Sequence, residues 1–298
     1  AGAVLGKKRT KRRMMYKYED VRKDYLMLDA IKLMDFLLKR EVPELDAERV
    51  TYRVVPTSAS DGFVEFVEGA LTIYEVNQEE NKERVVSIQN WLMKESGPTK
   101  NFNDVREMYV RSMAFWSVVT LLLGVGDRHL CNIMIKPNGA LFHIDYGFIL
   151  GEDPKLGMPL MRITQDMIDV MGGTQGRMFL LFKEYSCKIY RKIRQHSEIF
   201  FDLCKVLFFL DPPLDGKKPV SESYQIVLMD RLQKRFNWRV DSDDADNILL
   251  NWIQQSTENL MPEFYGKLKS GWNATTNFTH EPRKGKEEEK GGENGKGY

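Results

Sequence analysis

Apolar residues change their spacing along this chain, and each change marks an element. From Asp20 to Glu41, Tyr25, Leu28, Ile31 and Phe36 recur at three to five residues, the period of one helix face, and the run stops before Val42-Pro43. Tyr52 to Val55 and Phe63 to Val67 are β-branched and aromatic runs separated by Pro, Ser, Asp and Gly, which predicts a pair of strands. Val105 to Leu123 reads as a long buried helix. Ile133–Ile135 and Ala140–Ile144 flank Asn138-Gly139, the signature of a two-residue type I′ hairpin. From Thr164 to about Lys269 the pattern is helical, punctuated by Gly172-Gly173, Pro212-Pro213 and Asp241-Ser242. The reading is an α+β protein in which a small mixed part precedes a larger, mainly helical one, without internal repeats.

Composition narrows the partners. Of 298 residues 42% are hydrophobic, and 44 Lys+Arg stand against 43 Asp+Glu, a net charge of +1. Such balance excludes the electrostatic footprint of nonspecific nucleic-acid binding. The 3 cysteines, Cys131, Cys187 and Cys204, have no paired metal-ligand spacing and are too few for a disulfide framework, so a reducing compartment is expected. Met113 to Val125, the longest apolar run, is shorter than the ~20 residues of a membrane span. The ends differ from the middle: residues 1–13 form a basic head and 273–298 a Gly, Glu and Lys tail, both expected to be disordered. Asn273-Ala-Thr275 and Asn277-Phe-Thr279 match a glycosylation sequon, read as noise without a secretory signal. The chain starts at Ala1 rather than Met, so a longer gene product, since cut, is expected.

The candidate chemistry lies between Gly124 and Gly147. A two-residue turn at Asn138-Gly139 puts Asn132 opposite Asp145, with α-carbons about 4.5–5.5 Å apart, so an amide oxygen and a carboxylate meet at the open end of the hairpin. Hard cations such as magnesium take such oxygens and keep their other positions for water and phosphate. Asp127 stands five residues before Asn132, the D-x₄-N spacing that joins a kinase catalytic-loop acid to a metal ligand, and Asp145-Tyr146-Gly147 stands where D-F-G would. A histidine near neutral pH suits proton transfer, and His129 lies two residues from Asp127. Gly124-x-Gly126 lacks a third glycine and gives no dinucleotide fingerprint.

Here the histidine follows the acid, Asp127-Arg-His129, whereas protein kinases place it first, and no Ala-Pro-Glu follows. The stretch resembles the phosphoinositide 3-/4-kinase family, whose catalytic loop reads G-x-G-D-R-H-x-x-N and whose metal motif reads H-I-D-F-G. The resemblance covers about Lys17 to Trp272. Within the family it is most similar to the class III, or vacuolar sorting, enzymes, through Leu122–Leu130, Leu141–Asp145, Asp153-Pro-Lys155 and Met171-Gly-Gly-Thr-Gln175. The resemblance implies a two-lobed, protein-kinase-like fold, with a partial small lobe over 14–70 and a large lobe over 71–272. It implies ATP and Mg²⁺ (or Mn²⁺) as cofactors. Lys17 is then the phosphate-contacting lysine and Asp24 the helix acid that pairs with it, in a segment one residue shorter than the family pattern. Glu65, Phe66 and Val67 match the adenine-binding linker, Asp127 and His129 the proton-transfer pair, Asn132 and Asp145 the metal ligands. Tyr146, Gly147, Lys155 and Arg162 fall in the activation loop.

The family's phosphate-covering hairpin precedes the lysine, but only 16 residues stand before Lys17, so a complete nucleotide roof is not encoded here. The loop Phe148–Thr164 holds Lys155 and Arg162 against Glu152 and Asp153, a net charge of zero, which suits an inositol lipid without ring phosphates. Met261–Trp272, with Phe264, Tyr265, Leu268 and Trp272 among lysines, has an interfacial composition and resembles the family's membrane-engaging terminal helix. The expected activity is phosphorylation of phosphatidylinositol at its 3-hydroxyl. A phosphatidylinositol 4-kinase and a noncatalytic pseudokinase module remain open. The resemblance further implies regulatory scaffold subunits, including a protein-kinase-like one and autophagy subunits. It also implies a cytoplasmic, peripheral-membrane location on endosomal or autophagic membranes.

Overall fold

The computed structural model of the protein describes residues 11–78, 87–98, 101–155, 157–206 and 221–258. Its first helix, α1 (Arg22–Glu41), forms where the apolar spacing asks for it. Met27, Leu28, Ile31, Met34 and Leu38 are buried on one face, and the chain leaves the helix at Val42 because Pro43 cannot continue it. Beside α1 lie β1 (Met14–Lys17), β2 (Val54–Pro56) and β3 (Gly62–Glu65), antiparallel in the order β1-β3-β2, with Val54 opposite Val64 and Met14 opposite Glu65. The predicted strand pair is therefore present, and β1 joins it from the far side. Arg12 and Arg13, at the end of the basic head, are tied down: they pair with Glu65 and Glu68, and the Arg13 carbonyl accepts the Phe66 N–H at 2.9 Å. The rest of the head, 1–10, lies outside the described residues, as do 259–298 with Met261–Trp272 and the charged tail.

A second sheet carries the site. β4 (Leu71–Thr72) leads through the short α2 (Ile73–Val76) and α3 (Ile88–Glu95) into α4 (Phe102–Leu122). From there the chain forms the hairpin β5 (Ile133–Ile135) and β6 (Leu141–His143), and β4 pairs with β5. α4 is the central beam: Val105, Tyr109 and every residue from Ser112 to Leu122 are buried. The hairpin docks on it closely. The Ser112 hydroxyl accepts the Leu141 N–H at 3.0 Å, and Gly139 (φ 91°) lies so near that an added Cβ would fall 2.2 Å from the Val105 carbonyl. The helices α5 (Gln165–Val170), α6 (Arg177–Arg194), α7 (Ser197–Val206), α8 (Glu222–Phe236) and α9 (Ser242–Glu258) complete the large lobe, α6 packing on α4 and α9 on α6.

The hairpin register differs by one residue from the expected one. Ile133 faces His143 and Ile135 faces Leu141, so Asn132 stands opposite Ile144, whose N–H donates to the Asn132 carbonyl at 3.1 Å. The turn, not the strands, causes the slip. Pro137 takes the second position of a type I turn closed by Gly139 N–H to the Lys136 carbonyl at 2.9 Å, and Gly139 follows with positive φ; this three-residue loop displaces the two-residue turn.

Cys131, Cys187 and Cys204 form no disulfide among the described residues. Burial pushes the Cys187 thiol up to about 11 and the Cys204 thiol up to about 12, while Cys131 is half-buried next to Asn132.

Candidate active site

At the end of α4 the chain turns through Gly124, and two glycines let another segment come close. Gly126 N–H donates to the Phe148 carbonyl at 2.9 Å and Gly151 N–H to the Gly124 carbonyl at 2.8 Å. A Cβ at Gly124 would sit 2.3 Å from the Gly151 nitrogen, and one at Gly126 2.2 Å from the Glu152 carbonyl. The pair rejected as a dinucleotide fingerprint thus serves to pack the catalytic-type loop against the loop after Asp145. Asp127 (φ 51°) and Asp145 (φ 63°) both adopt the left-handed conformation, uncommon for residues other than glycine and concentrated where surrounding structure enforces it.

The structure brings Asp127, His129 and Asn132 into contact, and Arg128 ties the Asp145 backbone to the same loop. His129 Nε2 lies 3.7 Å from Asp127 Oδ2, both side chains largely shielded from solvent. Asn132 Nδ2 donates to the Asp127 carbonyl at 3.1 Å, which leaves the amide oxygen as its atom for a cation. Asp145 Oδ1 accepts the Gly147 N–H at 3.2 Å.

Between them sits a residue that spacing did not single out. Arg128 donates through Nε to the Gly126 carbonyl at 2.7 Å, through one terminal nitrogen to the Ile144 carbonyl at 2.8 Å, and through the other to the Asp145 carbonyl, with Tyr146 stacked at 5.9 Å. Burial lowers its pKa from the usual arginine value. It staples the catalytic-type loop to the metal motif through backbone atoms, which leave no pairwise signal in a sequence. Arg128→Ala strips these carbonyls of charged donors and should lower unfolding free energy by about 2–3 kcal/mol in urea titration. An unchanged midpoint would mean that the staple is ornamental.

From the small lobe, Asp24 turns inward as its face with Leu28 and Ile31 implied, and it is only 7% exposed. Burial, reinforced by the charge of Asp145, pushes its carboxyl up to about 6, against the pull of Lys17 and of the Tyr146 N–H that it accepts at 3.3 Å. The expected Lys17–Asp24 ion pair is corrected: Lys17 Nζ closes on Glu19 Oε1 at 2.5 Å, because Glu19, two residues along, is the nearer carboxylate. Burial works against the Lys17 charge, but Glu19, with Asp145 and Asp24 behind it, outweighs that and raises its pKa. Lys23 Nζ reaches the Gly147 carbonyl at 3.2 Å, a second lysine at the metal motif that the sequence reading passed over. Tyr146 is fully buried, its hydroxyl on the His143 carbonyl at 3.0 Å. His143 stacks on Trp116, and burial, followed by the Arg128 charge, holds it well below the usual histidine value, consistent with a structural residue.

In the linker, Glu65 N–H donates to the Arg53 carbonyl at 2.8 Å and Phe66 N–H to that of Arg13, whereas Val67 N–H has no backbone partner among the described residues. In the loop 148–164, Lys155 and Arg162 are half-buried. The acids are engaged within the protein: Glu152 accepts the Tyr224 hydroxyl at 2.7 Å, and Asp153 accepts backbone N–H groups of Asp127 and Lys155.

A small lobe of β1–β3 and α1 thus meets a larger helical lobe through Asp24–Tyr146 and Lys23–Gly147, which is a kinase-like, two-lobed fold. Residues 11–212 match the family model for phosphatidylinositol 3- and 4-kinase, and the chain belongs to that family. It is 32% identical over 247 residues to the phosphatidylinositol 3-kinase nodule isoform of Glycine max, covering 83% of this chain and 29% of that protein. It is 35% identical over 212 residues to the phosphatidylinositol 3-kinase catalytic subunit type 3 of Caenorhabditis elegans, covering 70% and 23%. The match to phosphatidylinositol 3-kinase VPS34 of Saccharomyces cerevisiae is 28% over 265 residues, covering 84% and 27%. The chain spans less than a third of the length of these relatives.

Proposed function

We propose that the protein transfers the γ-phosphoryl group of ATP to the 3-hydroxyl of phosphatidylinositol. The observation that carries this reading is the convergence of Asp127, His129, Asn132 and Asp145 on one loop-and-hairpin junction, braced by Arg128. The donor set, one carboxylate and one amide oxygen, fits a magnesium or manganese ion. Asn132 and Asp145 would hold the ion, which neutralises phosphate charge.

The chain's own groups do the rest. Lys17 presents its ammonium to the phosphates, kept charged by Glu19, Asp145 and Asp24. Val67 N–H stands as the donor for the adenine edge, with Glu65 and Phe66 shaping the linker. Asp127 and His129 orient the inositol hydroxyl and take its proton. Holding the reactants in place supplies most of the acceleration in phosphoryl transfer. Residues 14–70 would form the small lobe and 71–272 the large one. No helix among the described residues is long and apolar enough to cross a membrane. We further infer a location at the surface of endosomal or autophagic membranes and a complex with regulatory scaffold subunits; one relative is named a catalytic subunit, which supports an assembly of several subunits.

The loop 148–164 is neutral, and its acids are engaged with the protein, so it offers two cations at most to a headgroup. A ring phosphate desolvated without a matching cation costs kilocalories per mole, and ~1.4 kcal/mol is tenfold. The full-length protein, assayed on matched vesicles by thin-layer and headgroup chromatography, should prefer phosphatidylinositol to its 4,5-bisphosphate by about tenfold or more. Equal use of both would sink the loop argument. A 4-phosphate product would make it a 4-kinase, and no metal-dependent turnover of any inositol lipid would leave a docking module.

A further inference from the structure

The loop that follows the metal motif and the loop that carries the catalytic acid are not independent. One carboxylate of Asp153 spans them: Oδ2 accepts the Asp127 N–H at 3.0 Å and Oδ1 the Lys155 N–H at 2.8 Å. The second contact closes a local Asx turn that fixes the direction of Lys155; the first reaches 26 residues back to a residue in the left-handed conformation. Around this bridge the backbones are zipped, with Leu150 N–H on the Leu123 carbonyl at 2.9 Å and Gly151 N–H on that of Gly124 at 2.8 Å. Gly126 admits the approach, since a Cβ there would lie 3.0 Å from Asp153 Cα. On the outer side α8 closes the stack: Tyr224 holds Glu152, and Arg235 donates to the Leu121 carbonyl at 3.2 Å with its guanidinium beside Gly151.

We propose that Asp153 is a positioning residue that sets Asp127 for phosphoryl transfer while anchoring the headgroup-reading loop, so that the two loops act as one body. This rests on the assignment of Asp127 above. The Asp127 carbonyl is held by His129 N–H at 2.9 Å and Asn132 Nδ2 at 3.1 Å, and Asp153 adds the contact that fixes the other side of this residue, the Asp127 N–H. A catalytic group displaced by about 1 Å can lose on the order of 10²-fold in rate, which is the scale of the effect.

The test uses the full-length protein on phosphatidylinositol vesicles, with Asp153→Ala and Asp153→Asn. Asp153→Ala should lower kcat by about 10–10²-fold with KM for ATP within twofold, and should speed hydrogen exchange at the Asp127 amide without speeding it in α4. Asp153→Asn keeps one acceptor oxygen and the shape, should recover part of kcat, and carries the test if the alanine variant melts early. A rise in KM for the lipid at full kcat would overturn the proposal, because Asp153 would then only touch the headgroup. Unchanged exchange at Asp127 would overturn it too. If the unmodified protein turned over no inositol lipid, the assignment of Asp127 would fall first; full activity in both variants would refute the Asp153 role alone.

Discussion

Asp145→Asn should lower kcat by about 10³-fold or more, roughly 4 kcal/mol of barrier at 1.36 kcal/mol per tenfold, while the nucleotide-free protein melts where the unmodified one does. The two halves of that expectation come from different features. Asp145 sits at φ 63°, a conformation that asparagine adopts as readily as aspartate, and an amide oxygen can still accept the Gly147 N–H. The Asp145 backbone carbonyl that receives Arg128 is untouched by the substitution. What disappears is the negative charge, the strongest oxygen ligand in the proposed metal pair. Removing it also relieves Asp24, whose carboxyl that charge helps push upward, so apo stability should hold or rise slightly. A melting temperature several degrees lower would instead make Asp145 a structural residue.

The second large effect is expected at the acid and the histidine. Asp127→Asn, chosen over alanine because of the left-handed backbone, and His129→Ala should each lower kcat by roughly 10²–10⁴. If the two side chains, 3.7 Å apart, act as one unit as proposed, the double variant should be little worse than the poorer single one, as residues acting together are non-additive. Rapid-quench measurement of the transfer step separates this from slow product release. If each single variant kept near-full turnover, proton transfer would have to be assigned elsewhere.

Much of this was legible because it is periodic or local. The face of α1 that buries Leu28 and Ile31 also turns Asp24 inward, and the strand pair around Val54 and Val64 followed from β-branched runs. The spacing of Asp127, Asn132 and Asp145 pointed to the candidate site, while the register beneath it was off by one. That slip came from weighing Asn138-Gly139 without Pro137, whose fixed φ prefers the second place of a type I turn. β1 and β4 were not legible, since Met14–Lys17 and Leu71–Thr72 are too short to show alternation and their partners lie far along the chain. Arg128 and Asp153 were illegible for another reason: their partners are backbone atoms, which every residue has. Lys17 was placed at the site, but its partner, Glu19, was hidden behind the family pattern of a longer segment.

The burial of two thiols gives this fold a built-in chemical address. Only a thiolate attacks an electrophile, and burial in the core displaces the Cys187 and Cys204 thiols upward to about 11 and about 12, which lowers their thiolate fraction near neutrality. Cys131 is half-buried and is bonded directly to Asn132 in the chain. Of the three thiols in this chain, Cys131 is therefore the one expected to take up a maleimide or acrylamide first, which peptide mapping of the labelled protein checks, and a fluorophore attached there would report on the loop beside the proposed metal pair.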